Sequence, residues 1–236
     1  MTTIFEIFAP ELWLKIFGYV LTDLESFDKI CSISLQSRMI AQSLPRKNIR
    51  PIIIKESRNL NLSGLKNMQV FAVMIGGGGG GGFSRGGGGG GGAAGWITSW
   101  KFRIPRDGSV DCVIGRGGVG QIEKINENRV NQHIAKNAES GQFTQIIYGE
   151  NCIEAAGGQA AHCDLPGRGE DDGQPGSSFW RGNGGQGVLL DSFGGKTIIQ
   201  PERGYGAGGL GGGFSADNGV AIISAYQLPK VRKSEI

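Results

Sequence analysis

The sequence predicts two parts of different class: a small all-α three-helix motif at the N-terminus, then a mainly β, glycine-rich domain with polyglycine (type II) helices packed beside short strands. Three observations carry that expectation. Before residue 45, apolar residues recur at helical spacing in a stretch almost free of glycine. Of the 44 glycines in 236 residues, all but Gly18 and Gly64 lie between Gly76 and Gly219. The glycine clusters also recur, each beside an apolar, strand-like segment. This length suits one sizeable domain and one small one. The composition divides it into residues 1–45, a proline-bounded basic linker at 46–51, the glycine-rich domain at 52–229 and a charged tail at 230–236.

The first helix is read from Leu12, Ile16, Phe17 and Val20, with Pro10 suited to a first turn. Thr22 or Asp23 can cap a second helix bearing Leu24, Phe27, Ile30 and Cys31, and Ser34 to Leu44 supplies a shorter third. Helices this few and short bury too little to stand alone. Their apolar faces need either the rest of the chain or a partner.

The segment FAPELWLKIFGYVLTDLESFDKICSISLQSRMIAQ, Phe8 to Gln42, resembles an F-box. Phe8, Pro10, Glu11 and Leu12 stand in that family's opening, Ile16 and Phe17 in its first helix, Asp23 and Leu24 at the start of its second. Ala9 departs from the usual first proline, and Ser37 and Arg38 from the closing aromatic. The resemblance implies that Phe8, Pro10, Leu12, Ile16, Leu24, Phe27 and Ile30 dock on a Skp-type linker of a cullin ubiquitin ligase. The remainder would then select an unknown protein target.

From Ile52 onward strands dominate. PIIIKES and MQVFAVMIG are strands, WITSWKFRIP and SVDCVIG read as a hairpin about PRDG, and FTQIIYGENCIEAA as a second about Gly-Glu-Asn. KTIIQPE adds another strand and NGVAIISAYQL closes the domain. The polar insert from Gln121 to Gly141 is expected as a helix or a protruding loop.

The runs Gly76–Gly82 and Gly86–Gly92 flank Phe83, Ser84 and Arg85, the expected turn between them. Ordering glycine costs roughly 0.5–1 kcal/mol more than ordering alanine, so such runs would serve as linkers unless hydrogen bonds between them offset that cost. Helices of three residues per turn, free of side chains, approach closely enough to make those bonds. The clusters at 115–120, 155–161, 182–187 and 204–213 supply the neighbours. The pattern IGGGGGGG, VIGRGGVG, EAAGGQ and GGLGGGFSADNGVAIISAY is similar to the glycine-rich domains of phage tail, bacterial surface and large-virus proteins. That likeness implies a structural or adhesive role, with self-assembly or virion partners.

Charge is balanced, at 24 basic against 21 acidic residues, which argues against a nucleic-acid partner. The N-terminus carries Glu6, Glu11 and Lys15 and so reads as neither a secretory signal nor a membrane span, and a cytoplasmic protein is expected. GRGGVG satisfies a dinucleotide fingerprint but lacks its alternating strands and helices. The cysteines and the acidic group Asp164, Glu170, Asp171 and Asp172 lack metal-ligand spacing. No metal, cofactor or enzymatic activity is expected. Phe83, Phe179, Trp180, Tyr205 and Phe214, flanked by glycines, are the candidate loop contacts, either core plugs or exposed binding groups. The functional expectation is an F-box-like adaptor, encoded by a eukaryote or a large DNA virus, with a structural particle protein as the alternative.

Overall fold

The computed structural model describes residues 24–33, 51–66, 68–83, 89–125, 133–170, 172–176, 180–193, 196–201, 205–211 and 213–225. Among them are one α-helix, α1 (Leu24–Ile33), and the strands β1 (Ile52–Ile54), β2 (Arg58–Asn61), β3 (Gln69–Ile75), β4 (Ile97–Arg103), β5 (Ser109–Val113) and β6 (Ile122–Ile125). The chain continues with β7 (His133–Lys136), β8 (Thr144–Tyr148), β9 (Asn151–Ala155), β10 (Val188–Phe193), β11 (Lys196–Pro201) and β12 (Val220–Ala225).

The expected all-α three-helix motif is not seen. Among the described residues α1 is the one α-helix, beside a single 3-10 turn at Ser63–Leu65, and the expected first and third helices fall outside them. Leu24, 1% exposed, sits in the same core as Ile54, Leu65, Met74 and Ile223, with Ile30 packed against it. Asp28 accepts the Leu65 N–H at 3.1 Å, and Glu25 pairs with Arg58 at 2.8 Å. A helix this short gains its stability from tertiary packing, and the sheets offer the apolar face it needs.

Two four-stranded antiparallel sheets hold the core, in the orders β1-β12-β3-β4 and β2-β5-β8-β9, with β6–β7 and β10–β11 as separate hairpins. Alternation sets the inward face. Val70, Ala72 and Met74 of β3 meet Val110, Cys112 and Ile146 of the second sheet, and the Phe102 and Tyr148 rings stack with centroids 4.4 Å apart. The expected hairpin of β4 with β5 does not form. β4 pairs with β3 along its whole length, whereas β5 pairs with β2 and β8. The intervening turn crosses between sheets, Gly108 donating to the Pro105 carbonyl at 3.1 Å with φ +78°. The β8–β9 hairpin forms about Gly149 and Glu150, and within the insert after Gln121 residues 122–125 and 133–136 pair as antiparallel strands rather than forming a helix.

Burial pushes the Cys112 thiol up to about 12 from its ordinary 9.0, with Asp111 adding to the rise and Arg58 opposing it. Folded Cys112 therefore keeps a proton that the unfolded chain releases. Its contribution to stability is complete below pH about 9 and falls by roughly 1.4 kcal/mol per pH unit up to about 12. Iodoacetamide at pH about 8 is expected to label the exposed Cys152 and Cys163 but not Cys112. Mass mapping of the native protein checks this, and labelling at Cys112 contradicts it.

β3 runs directly into the first glycine run, where the hydrogen-bond partner changes with every residue and returns every third. Gly76, Gly79 and Gly82 donate to Trp96, Ala93 and Gly90; Gly77 and Gly80 to Gln142 and Glu139; Gly78 and Gly81 to Asp217 and Phe214, all at 2.8–3.1 Å. The carbonyls follow the same period, Gly77 and Gly80 accepting from Gly158 and Ala161, Gly78 and Gly81 from Gly118 and Gln121. This is the repeat of a polyglycine helix with peptide groups pointing sideways.

Six segments thus ring residues 76–82: 89–96, 156–163, 139–142, 115–121, 213–217 and 206–211. Residues 89–96 are ringed in turn by 76–82, 156–163, 167–170, 173–176, 182–185 and 206–211. Neighbours within each ring also bond to one another, as Gln142 does to Arg116 and Gln174 to Asn183. Two hexagons therefore share an edge. A Cβ at Gly79, Gly80 or Gly81 would strike the carbonyl of Gln159, Val119 or Leu210, so glycine here is a requirement of close approach. Each paired peptide contributes about 1 kcal/mol, which offsets the entropy of ordering.

Candidate functional site

β3 enters the bundle at Gly76, so Gly82 marks the far end. Four large apolar residues gather there. The Phe83 N–H donates to Gln121 Oε1 at 2.9 Å, while the carbonyls of Trp180 and Phe214 accept from Gly89 and Gly81. Leu165 is held by a tight reversal, its N–H and C=O exchanging bonds with His162 at 2.9 and 3.0 Å, and its carbonyl lies against Gly90. Cys163, inside that reversal, has φ +51°, a left-handed conformation uncommon outside glycine.

Trp180 is 78% exposed, Leu165 67% and Phe214 43%. The Arg181 guanidinium stands over the Phe214 ring, 5.1 Å from its centroid. Single exposed apolar residues are ordinary, but here several gather at one end of the bundle as an apolar patch. Chemically, this end can bury apolar and π surface and present a cation.

Tyr205 is elsewhere, at the base of the bundle against Ile75 and Val220, with Lys55 Nζ 5.5 Å from its ring centroid. Its hydrogen bond to Lys55, and then their charge interaction, hold that amine above its ordinary range. Phe179 lies outside the described residues, as do Phe8, Pro10, Leu12 and Ile16. Phe27 lies on α1. Leu24 is committed to the chain's own core rather than to a free docking face. Leu165 was not expected; a leucine before proline amid glycine and charge was the available signal.

The glycine amides of the GRGGVG segment, the groups a phosphate cradle would use, are already bonded within the chain. Gly115 donates to Thr144 Oγ1 at 3.1 Å, Gly117 to Asn218 Oδ1 at 2.9 Å and Gly118 to the Gly78 carbonyl at 2.8 Å. Two carboxylates of the acidic group cap main-chain N–H groups: Glu170 that of Ile97 at 3.2 Å, Asp172 that of Gly169 at 3.0 Å. Among the described residues, no three His, Cys, Asp or Glu side chains converge as metal ligands. Nor is any helix among them long and apolar enough to cross a membrane.

Fold and site together define a glycine-scaffolded β protein, in which a two-sheet core continues into a polyglycine lattice that displays side chains at its far end. The family model described as a glycine-rich domain matches residues 62–227, and the chain belongs to that family. No curated protein matches the chain. The matched span takes in β3 through β12 and every segment of the lattice.

Proposed function

We propose that the chain is a non-enzymatic recognition protein whose glycine lattice is a rigid stand for a protein-binding tip. The observation that carries this reading is the exposure of Trp180, Leu165 and Phe214 together at the far end of the bundle, with Arg181 beside them. Tryptophan and arginine are the residues that most often dominate protein interfaces. Without catalysis to serve, a rigid lattice supplies preorganisation: little entropy is lost when the tip is covered.

The N-terminal segment gives this reading its specific form, an F-box-like adaptor of the cytoplasm. Phe8, Pro10, Leu12 and Ile16 would dock on a Skp-type linker of a cullin ligase, while Leu24 and Ile30 tie the segment to the β core. Co-purification from cytosol tests it. The linker and cullin are expected with the wild-type chain and absent with Leu12→Asp plus Ile16→Asp; a wild-type chain that retains no linker overturns the adaptor. Trp180→Ala is expected to keep the linker and lose a target that is cross-linked to the tip of the wild type.

A second reading, a structural protein of a particle, is favoured by Trp96, Trp100 and Phe143, exposed away from the tip and suited to assembly contacts. Sedimentation only with assembled particles, in place of linker binding, selects it.

A further inference from the structure

The inner positions of the glycine lattice are filled, but among the described residues one flank is open. Segments 183–187 and 206–211 run side by side, Gly208 and Gly211 donating to Gly185 and Gly182 at 2.9 and 2.8 Å. A trough of about 460 Å³ lies over them, bordered by Asp172, Gln174, Asn183 and Gln186 and floored by Gly184 and Gly208.

The three-residue period decides which backbone groups face it. Gly182 and Gly185 donate inward to Gly89 and Gly92, so the N–H of Gly184, a third of a turn away, points out of the bundle. On the other wall, Gly206 and Gly209 accept from Gly95 and Gly92, and Ala207 and Leu210 from Asp217 and Phe214. The Gly208 carbonyl is the remaining phase. Neither the Gly184 N–H nor the Gly208 carbonyl has a partner among the described residues, and the same holds three residues on for the Gly187 N–H and the Gly211 carbonyl.

A row of donors thus faces a row of acceptors, each stepping by three residues, or about 9 Å along a helix of this type. The complement of such a pair is another chain with the same repeat. Its carbonyls would take the Gly184 and Gly187 N–H groups, and its N–H groups the Gly208 and Gly211 carbonyls. A Cβ on Gly184 would already strike the Gly208 carbonyl, so a chain seated at lattice spacing needs glycine wherever it faces the trough. At the rim stand the amides of Gln174 and Asn183, paired with each other at 3.1 Å, with Gln186 and the Asp172 carboxylate, which caps Gly169, and they suit polar residues between those glycines.

We propose that this trough is a docking site for an extended glycine-rich peptide of a separate protein, which joins the bundle as one more polyglycine helix, as a strand joins a sheet edge. The site is distinct from the aromatic tip and independent of the adaptor reading.

Hydrogen exchange on the full chain tests it with a synthetic peptide of repeated Gly-Gln-Pro triplets, proline favouring the extended helix. Saturating peptide is expected to slow exchange of the Gly184 and Gly187 amides by roughly tenfold or more. Gln186→Trp, which fills the trough mouth, is expected to abolish the slowing while circular dichroism shows the chain still folded. A matched Ala-Gln-Pro peptide should have no effect. Unchanged exchange overturns the proposal, as does equal slowing by the alanine peptide. Slowing by a linear oligosaccharide in place of the peptide assigns the trough to glycans and overturns it too, as does slowing by higher protein concentration alone, which assigns it to a second copy.

Discussion

Gly79→Ala is expected to dismantle the bundle. Gly79 lies mid-way along the central helix, donating to Ala93 at 2.8 Å and accepting from Gly209 at 2.9 Å. An alanine Cβ there would overlap the main-chain carbonyl of Gln159. That atom cannot swing aside as a side chain would, because Gln159 itself accepts from Ala93 and donates to Arg168. Relief requires spreading a hexagon closed by hydrogen bonds on every side. Overpacking costs about 1–3 kcal/mol and each broken bond about 1 kcal/mol more, so a loss of about 3–6 kcal/mol is expected. Against a total stability of about 5–15 kcal/mol this unfolds much of the population. Gly149→Asn is the control: φ is +58° there, no atom lies within contact range, and asparagine tolerates that conformation, so a change below about 1 kcal/mol is expected. Urea unfolding of both variants decides the matter, and equal stability of Gly79→Ala and the wild type would falsify the lattice as the source of stability.

Thr144→Val carries the second large effect, at the junction of sheet and bundle. The Thr144 hydroxyl donates to the Ile75 carbonyl at 2.6 Å and accepts the Gly115 N–H at 3.1 Å, and the residue is 0% exposed. Ile75 ends β3 just before the central helix, and Gly115 begins another segment of its ring. One hydroxyl therefore satisfies both places where strand geometry gives way to the three-residue helix. Valine has nearly the same shape but leaves a buried donor and a buried acceptor unpaired, at about 1–3 kcal/mol each. A loss of about 2–5 kcal/mol is expected. Thr144→Ser keeps the hydroxyl, gives up one methyl and should cost only about 1 kcal/mol. If the serine variant proves the less stable of the two, packing rather than hydrogen bonding holds the junction.

Much of this architecture was legible before folding. Apolar alternation marks β3 and β12, the Gly-Glu turn marks the β8–β9 hairpin, and recurring glycine clusters after strands mark an ordered bundle rather than a spacer. The failures share one cause. β4 and β5 look like a hairpin because they are adjacent and alternating, yet each finds its partners in a different sheet. Leu24 shows the apolar spacing of a helix face, but spacing does not say whether a separate protein or Leu65 and Met74 of the same core will cover it. At the candidate site, Trp180 and Phe214 were recognisable as aromatics among glycines. Leu165 was not, since its exposure depends on a reversal at His162 that brings it to the bundle end.

By itself, the sequence determined that glycine-rich segments alternate with apolar strands, and that segments without side chains can be ordered only by lateral hydrogen bonds between polyglycine helices. Only the tertiary structure decided that residues 76–82 and 89–96 are the two hubs, which segments ring them, where the flank stays open and that α1 belongs to the β core. The physical reason is that a glycine carries no side chain to specify its neighbour. Partners as distant as Gly78 and Asp217 are selected by the closure of whole rings, which no local pattern encodes.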